Sequence, residues 1–238
     1  MHAAKPLSAL ILSLVLAVPQ AFASDPQPGG IVSEALLKAR GSAAFFRSSP
    51  ISDAVFRRIN GKSWKDACRH DRKDFRYLTA LHHDGHGSVR LGEMILHKDA
   101  AEDVLDVLAA LYVNGRTIEK MVLIDRYDAD DERSMTANNS SAFNCRVVKG
   151  SKKLSAHAMG LAVDLNPLWN PYVKVTSAGT IVQPEAGRPF ADRSRKDPRF
   201  FDKDDLAVKL FKDRGWIWGG DWKSLKDWQH FEKPMKRR

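Results

Sequence analysis

The stretch that most constrains this chain is Ser155-Ala156-His157-Ala158-Met159-Gly160-Leu161-Ala162-Val163-Asp164-Leu165. It places an acid inside an apolar run. A carboxylate there is costly to bury unless it is paired, hydrogen-bonded or metal-bound. In an extended chain Gly160, Ala162 and Asp164 share one face. Two of the three are tiny, so something can approach the strand closely on that side. A turn at His157 would swing an imidazole over the same face, offering a metal one nitrogen and one carboxylate oxygen. The spacing alone says little, since His86 and Glu93 are also seven apart in and beside a polar loop. The small-residue strand makes the difference.

The rest of the chain is ordinary in composition. Its 238 residues are 43% hydrophobic and 28% charged, which excludes wholesale disorder or a collagen-like fibre. The formal charge of +9 suits anionic partners. Residues 1–23 read as a signal peptide, with Lys5 in the basic region, an apolar run from Leu7 to Val18, and Ala21-Phe22-Ala23 before the cut. The apolar run is too short to span a bilayer, so the mature chain is expected to be exported, periplasmic or extracellular, with no membrane span. In such a compartment the two cysteines, Cys68 and Cys145, are expected to form a disulfide, the other reading being two buried thiols.

Local signals predict helices over Glu34–Arg40 and Asp53–Ile59, capped by Ser33 and Ser52, and a further cap in Ser63-x-x-Asp66. Phe75–Leu81 and Val89–His97 read as a hairpin. Asp99-x-x-Glu102 opens the strongest helix, with Val104, Leu105, Leu108, Leu111 and Tyr112 on one face and Asn114-Gly115 at its end. Met121–Ile124 reads as a short buried strand and Gly160–Leu165 as another. Residues 127–153 are too long and polar for a mere connection, and residues 166–200 read as loop with one small hairpin. Asp202-x-x-Asp205 opens a last helix, and Trp216–Trp218 and His230–Glu232 are short strands. The whole is expected to be α+β, an antiparallel sheet with flanking helices. It divides into a helical N-terminal arm over 24–74 and one domain over 75–238.

Near the C-terminus, Lys226-Asp227-Trp228-Gln229-His230-Phe231-Glu232 sets Asp227 three residues before His230. Taken alone, such a pair is more often a surface turn. Together with His157 and Asp164 it could complete a His/Asp/His zinc triad with an open fourth position, and Asp227 could take a proton from water there. Glu232 either orients a ligand histidine or faces water. His82, His83, His86 and Asp84 read as a hairpin loop rather than a second metal site. Trp216, Trp218 and Trp222 read as core and rim aromatics rather than a sugar-stacking platform. No nucleic-acid recognition motif accompanies the basic charge.

The pattern Ser-x-His-x-x-Gly-x-Ala-x-Asp, followed far downstream by acid-x-x-His, resembles the zinc D-alanyl-D-alanine carboxypeptidases and L-alanyl-D-glutamate endopeptidases, the VanY-like peptidoglycan peptidases. Their fold is shared with Hedgehog-type and lysostaphin-type zinc domains. The resemblance implies one zinc ion on His157, Asp164 and His230, with Asp227 as general base. It implies hydrolysis of a peptide bond in peptidoglycan stem peptides through a zinc-bound water. The chain itself is expected to be a monomer. It also implies that Arg146 binds a substrate carboxylate and that Ser155 contacts substrate or braces the site. The loop Trp169-Asn170-Pro171-Tyr172 and the stretch Trp216–Trp222 depart from the family pattern and bear on substrate choice. A rival reading is a zinc-containing cell-wall binding module without turnover.

Overall fold

The structure is a computed structural model that describes residues 26–148 and 150–234. The expected signal peptide lies outside the described residues.

The first two helices begin where serine hydroxyls take up free amides. Ser33 Oγ accepts from Leu36 N to open α1 (Glu34–Arg40), and Ser52 Oγ accepts from Val55 N to open α2 (Asp53–Ile59). Between them, Arg47–Pro50 forms a strand, β1. It pairs antiparallel with β2 (Phe75–His83), which pairs with β3 (Val89–His97). The N-terminal segment is thus not helical alone, because it supplies an edge strand to the hairpin sheet. The hairpin strand β2 runs two residues past the expected Leu81.

Helix α3 (Lys98–Val113) starts one residue before Asp99, with His97 Nδ1 accepting from Asp99 N. Its face of Val104, Val107, Leu108 and Leu111 is buried against the β2–β3 hairpin. Each such side chain contributes roughly 1.5–3 kcal/mol by leaving water. The later elements are α4 (Asp131–Thr136), β4 (Ala162–Asp164), β5 (Tyr172–Thr176), β6 (Gly179–Gln183), α5 (Leu206–Asp213), β7 (Ile217–Trp218), β8 (Lys226–Asp227) and β9 (His230–Glu232). They form two more antiparallel sheets, ordered β4-β9-β7 and β6-β5-β8. The α+β class therefore holds, built from three small sheets among the described residues rather than one.

Two local expectations fail for the same reason, a partner distant in sequence. Ser63 caps nothing. Its Oγ donates to Asp125 Oδ2 at 2.8 Å and its N–H to Oδ1 at 3.0 Å, and both groups are buried. Met121–Ile124 is buried but is not a strand, since Ile124 already belongs to a 3-10 turn over Ile124–Tyr127. The Asn139 amide stands where a neighbouring strand would, accepting from Val122 N at 2.9 Å and donating to Val122 O at 3.0 Å.

Cys68 and Cys145 are joined by a disulfide, Cα atoms 6.1 Å apart. Around it pack Ile51, Ile59, Trp64, Phe75 and Phe143, a core shared between the N-terminal segment and the loop before Arg146. No helix among the described residues is long and apolar enough to cross a membrane.

Candidate active site

Strand pairing builds the centre. In the β4–β9 ladder Asp164 stands directly opposite His230. The small residues beside Asp164 serve close packing. Ala162 is fully buried, and Gly160 adopts φ +65°, where an added Cβ would lie 2.6 Å from His97 N. The turn over 156–160 is held by Ser155, whose Oγ accepts from Ala158 N at 3.0 Å. This turn carries His157 over the strand. Ser155 is buried and braces the turn.

His157, Asp164 and His230 form the one grouping with metal-ligand proximity found among the described residues. His157 Nε2 lies 3.2 Å from His230 Nδ1 and 3.2 Å from Asp164 Oδ2, and His230 Nδ1 lies 2.9 Å from Asp164 Oδ1. Tetrahedral zinc with bonds near 2.0–2.1 Å requires ligand atoms about 3.3 Å apart. The tautomers fit as well. His157 Nδ1 faces Ala142 O at 2.6 Å, and His230 Nε2 faces Glu232 Oε2 at 3.3 Å. Carbonyl and carboxylate oxygens only accept, so both of those nitrogens donate. The two nitrogens turned towards each other therefore hold lone pairs in the neutral rings. Only a proton or a metal cation between them relieves that contact, so the donor set fits a zinc ion.

The electrostatics point the same way. Burial alone would lower the His230 imidazole. The hydrogen bonds to Asp164 and Glu232, and the nearby carboxylates, instead push it up to about 10. Burial alone would raise the Asp164 carboxyl, yet the facing His157 and His230 rings hold it below the usual carboxylate range. The hydrogen bond to His230 also lowers Glu232. A pocket with this many carboxylates demands positive charge.

Asp227 is positioned by the third sheet, where it stands opposite Tyr172 on β5. Its Oδ1 is buried and has no hydrogen-bond partner. Burial, with Asp164 adding to it, pushes its carboxyl up to about 7 against the pull of His230 and His157. Gly219 makes room for it, since a Cβ there would stand 2.5 Å from Asp227 O.

These groups share a cleft of about 350 Å³ that also takes in Arg146, Asp131, Tyr172 and Trp222. Arg146 is one-third exposed, its Nε 2.5 Å from Asp131 Oδ2. Trp222 leans on His230 with ring centroids 5.4 Å apart, while Trp216 donates to Asp103 and Trp218 to Trp228 O, as core aromatics do. His82 and Asp84 bond within and beside the hairpin and hold no metal-like cluster. Asp131 and Tyr172 were not marked as site residues by the sequence. Asp131 opens α4 in a segment rich in acids, and only the fold singles it out.

The family model described as D-alanyl-D-alanine carboxypeptidase matches residues 149–233. That stretch holds His157, Asp164, Asp227, His230 and Glu232. No curated protein and no solved structure matches the chain. Placed on a buried donor triad of the expected residues, the match over 149–233 supports the resemblance to the VanY-like D-alanyl-D-alanine carboxypeptidase family.

Proposed function

We propose that the chain is an exported zinc-dependent peptidase that hydrolyses a peptide bond in peptidoglycan stem peptides, of the D-Ala-D-Ala carboxypeptidase or L-Ala-D-Glu endopeptidase type. The observation that carries this is the convergence, in one cleft, of metal-donor groups from His157, Asp164 and His230, 2.9–3.2 Å apart, and a buried oxygen of Asp227 with no hydrogen-bond partner. His157, Asp164 and His230 would hold the ion, and zinc, when bound, supplies a Lewis acid that polarises the scissile carbonyl and acidifies water.

The chain's own groups do the rest. Ala142 O and Glu232 fix the two imidazoles so that Nε2 of His157 and Nδ1 of His230 face inward. Asp227 accepts the proton of the attacking water at Oδ1 and returns it to the leaving amine. Its carboxyl, raised by burial, suits a group that must both take and give a proton near neutrality. With a cation held by the triad, the Asp227 carboxyl would sit lower and favour its base form. Arg146 presents its guanidinium to a substrate carboxylate at the cleft wall, and Ser155 keeps the His157 turn in place.

A non-catalytic wall-binding module would have no use for a buried carboxylate oxygen left without a partner beside the triad. Digestion of purified muropeptides by the zinc-loaded chain, with mass spectrometry of the products, tests the reading. Loss of a terminal D-Ala or cleavage at L-Ala-D-Glu supports it. Intact muropeptides with bound zinc would support the binding module instead.

A further inference from the structure

The Arg146–Asp131 pair changes what the cleft can recognise. Both side chains line the cleft and each is 33% exposed. Arg146 Nε faces Asp131 Oδ2 at 2.5 Å and is itself shut off from solvent. With Nε shut off, the edge the guanidinium has left to offer a cleft ligand is its Nη pair, the two-donor fork that matches a carboxylate. Asp131 is fixed from behind, where Asn144 Nδ2 donates to its Oδ1 at 3.1 Å and to Ala129 O at 3.1 Å. A carboxylate has about four acceptor sites. One is used by Asn144 and one faces Arg146, so Asp131 keeps capacity on its exposed side.

A lone anion approaching Arg146 meets the fixed negative charge of Asp131. A lone cation approaching Asp131 meets the fixed positive charge of Arg146. Only a group that carries both charges, close together, is complementary to the pair. We infer that Arg146 and Asp131 form a bipolar subsite for a zwitterionic α-amino acid head, an ammonium and a carboxylate on one carbon, such as the free end of a diamino acid residue in the substrate peptide. Asp131 thereby determines specificity: it makes the cleft discriminate against a carboxylate without its ammonium. The inference rests on the reading of this cleft as one that takes stem peptides.

The test is isothermal titration calorimetry on the full mature chain with two peptides. One bears a diaminopimelyl residue with a free amino acid head, and the other is its deamino counterpart ending in carboxylate alone. The wild type should prefer the zwitterion by about fivefold, the scale of one partly screened charge contact. Asp131→Asn, which keeps the Oδ1 acceptor for Asn144, should bring the two within about twofold, with the deamino peptide bound as well as before or better. Arg146→Gln should weaken both. Equal affinities in the wild type, no binding of either peptide, or a parallel loss of both in Asp131→Asn would overturn the subsite; the last would make Asp131 a mere support for Arg146. Muropeptide digestion separates the two levels of argument. Cleavage by the wild type with an unchanged peptide preference in Asp131→Asn refutes the subsite alone. Preference for the zwitterion without any cleavage refutes the peptidase reading alone.

Discussion

Replacing Cys68 and Cys145 together with alanine removes a covalent tie across 77 positions. For a closed loop of that length the chain-entropy relation gives about 4.5 kcal/mol, and measured disulfides usually deliver about 2–4 kcal/mol. The lower figure suits this site, because most of the surrounding contacts do not need the covalent bridge. Ile51, Ile59, Trp64, Phe75 and Phe143 remain buried together, and Cys145 N still donates to Ser63 O at 2.9 Å. In a domain of this size each kcal/mol moves the melting temperature by about 2–4 °C, so the double variant should melt roughly 5–15 °C below the wild type. Calorimetric or circular-dichroism melts of both proteins, zinc-loaded, measure it. The effect should reach the cleft too, since Arg146 follows Cys145 directly, and KM for muropeptides should rise more than kcat falls. A double variant melting within about 2 °C of the wild type would refute the reasoning. It would show that the noncovalent core alone fixes the N-terminal segment.

Three further changes probe the centre. Alanine at His157, Asp164 or His230 removes one of three donors, and zinc measured by metal analysis should fall well below one per chain. Glu232→Gln weakens the carboxylate hold on His230 Nε2, and competition with a chromophoric chelator should show about tenfold weaker zinc binding; unchanged affinity would mean that Glu232 does not orient the ligand. Gly219→Ala sets a Cβ 2.5 Å from Asp227 O and 2.8 Å from Asp227 Cβ. It should cost about 10²-fold in kcat through misplacement of the base while zinc stays bound, and full activity in that variant would show that Asp227 is not held by this contact.

What could be read from the sequence was what near neighbours decide. The spans of α1 and α2 were legible because Ser33 and Ser52 bond amides three residues on. Ser63-x-x-Asp66 has the same letters, but a buried acid 62 residues away claims the hydroxyl. Likewise the apolar run at Met121–Ile124 reads as a strand, and no local pattern shows that the Asn139 side chain will satisfy Val122. The donor triad was legible for a different reason: a carboxylate in a strand of tiny residues must have a buried partner. Its pairing with His230 came from the acid-x-x-His segment, and the β4–β9 register now gives the physical cause. The role of Glu232 stood open until the His230 ring showed which nitrogen it faces. Asp131 was invisible, because an acid in a polar segment carries no signal until the fold sets it against Arg146.

In the proposed reaction Asp227 is a base and not a ligand. Metal analysis and muropeptide kinetics on Asp227→Ala test it most directly. The variant should keep close to one zinc per chain and an unchanged melt, and lose about 10²–10⁴ in rate, the scale of general acid–base help. A variant that loses its zinc, or one that keeps its full rate, would contradict it.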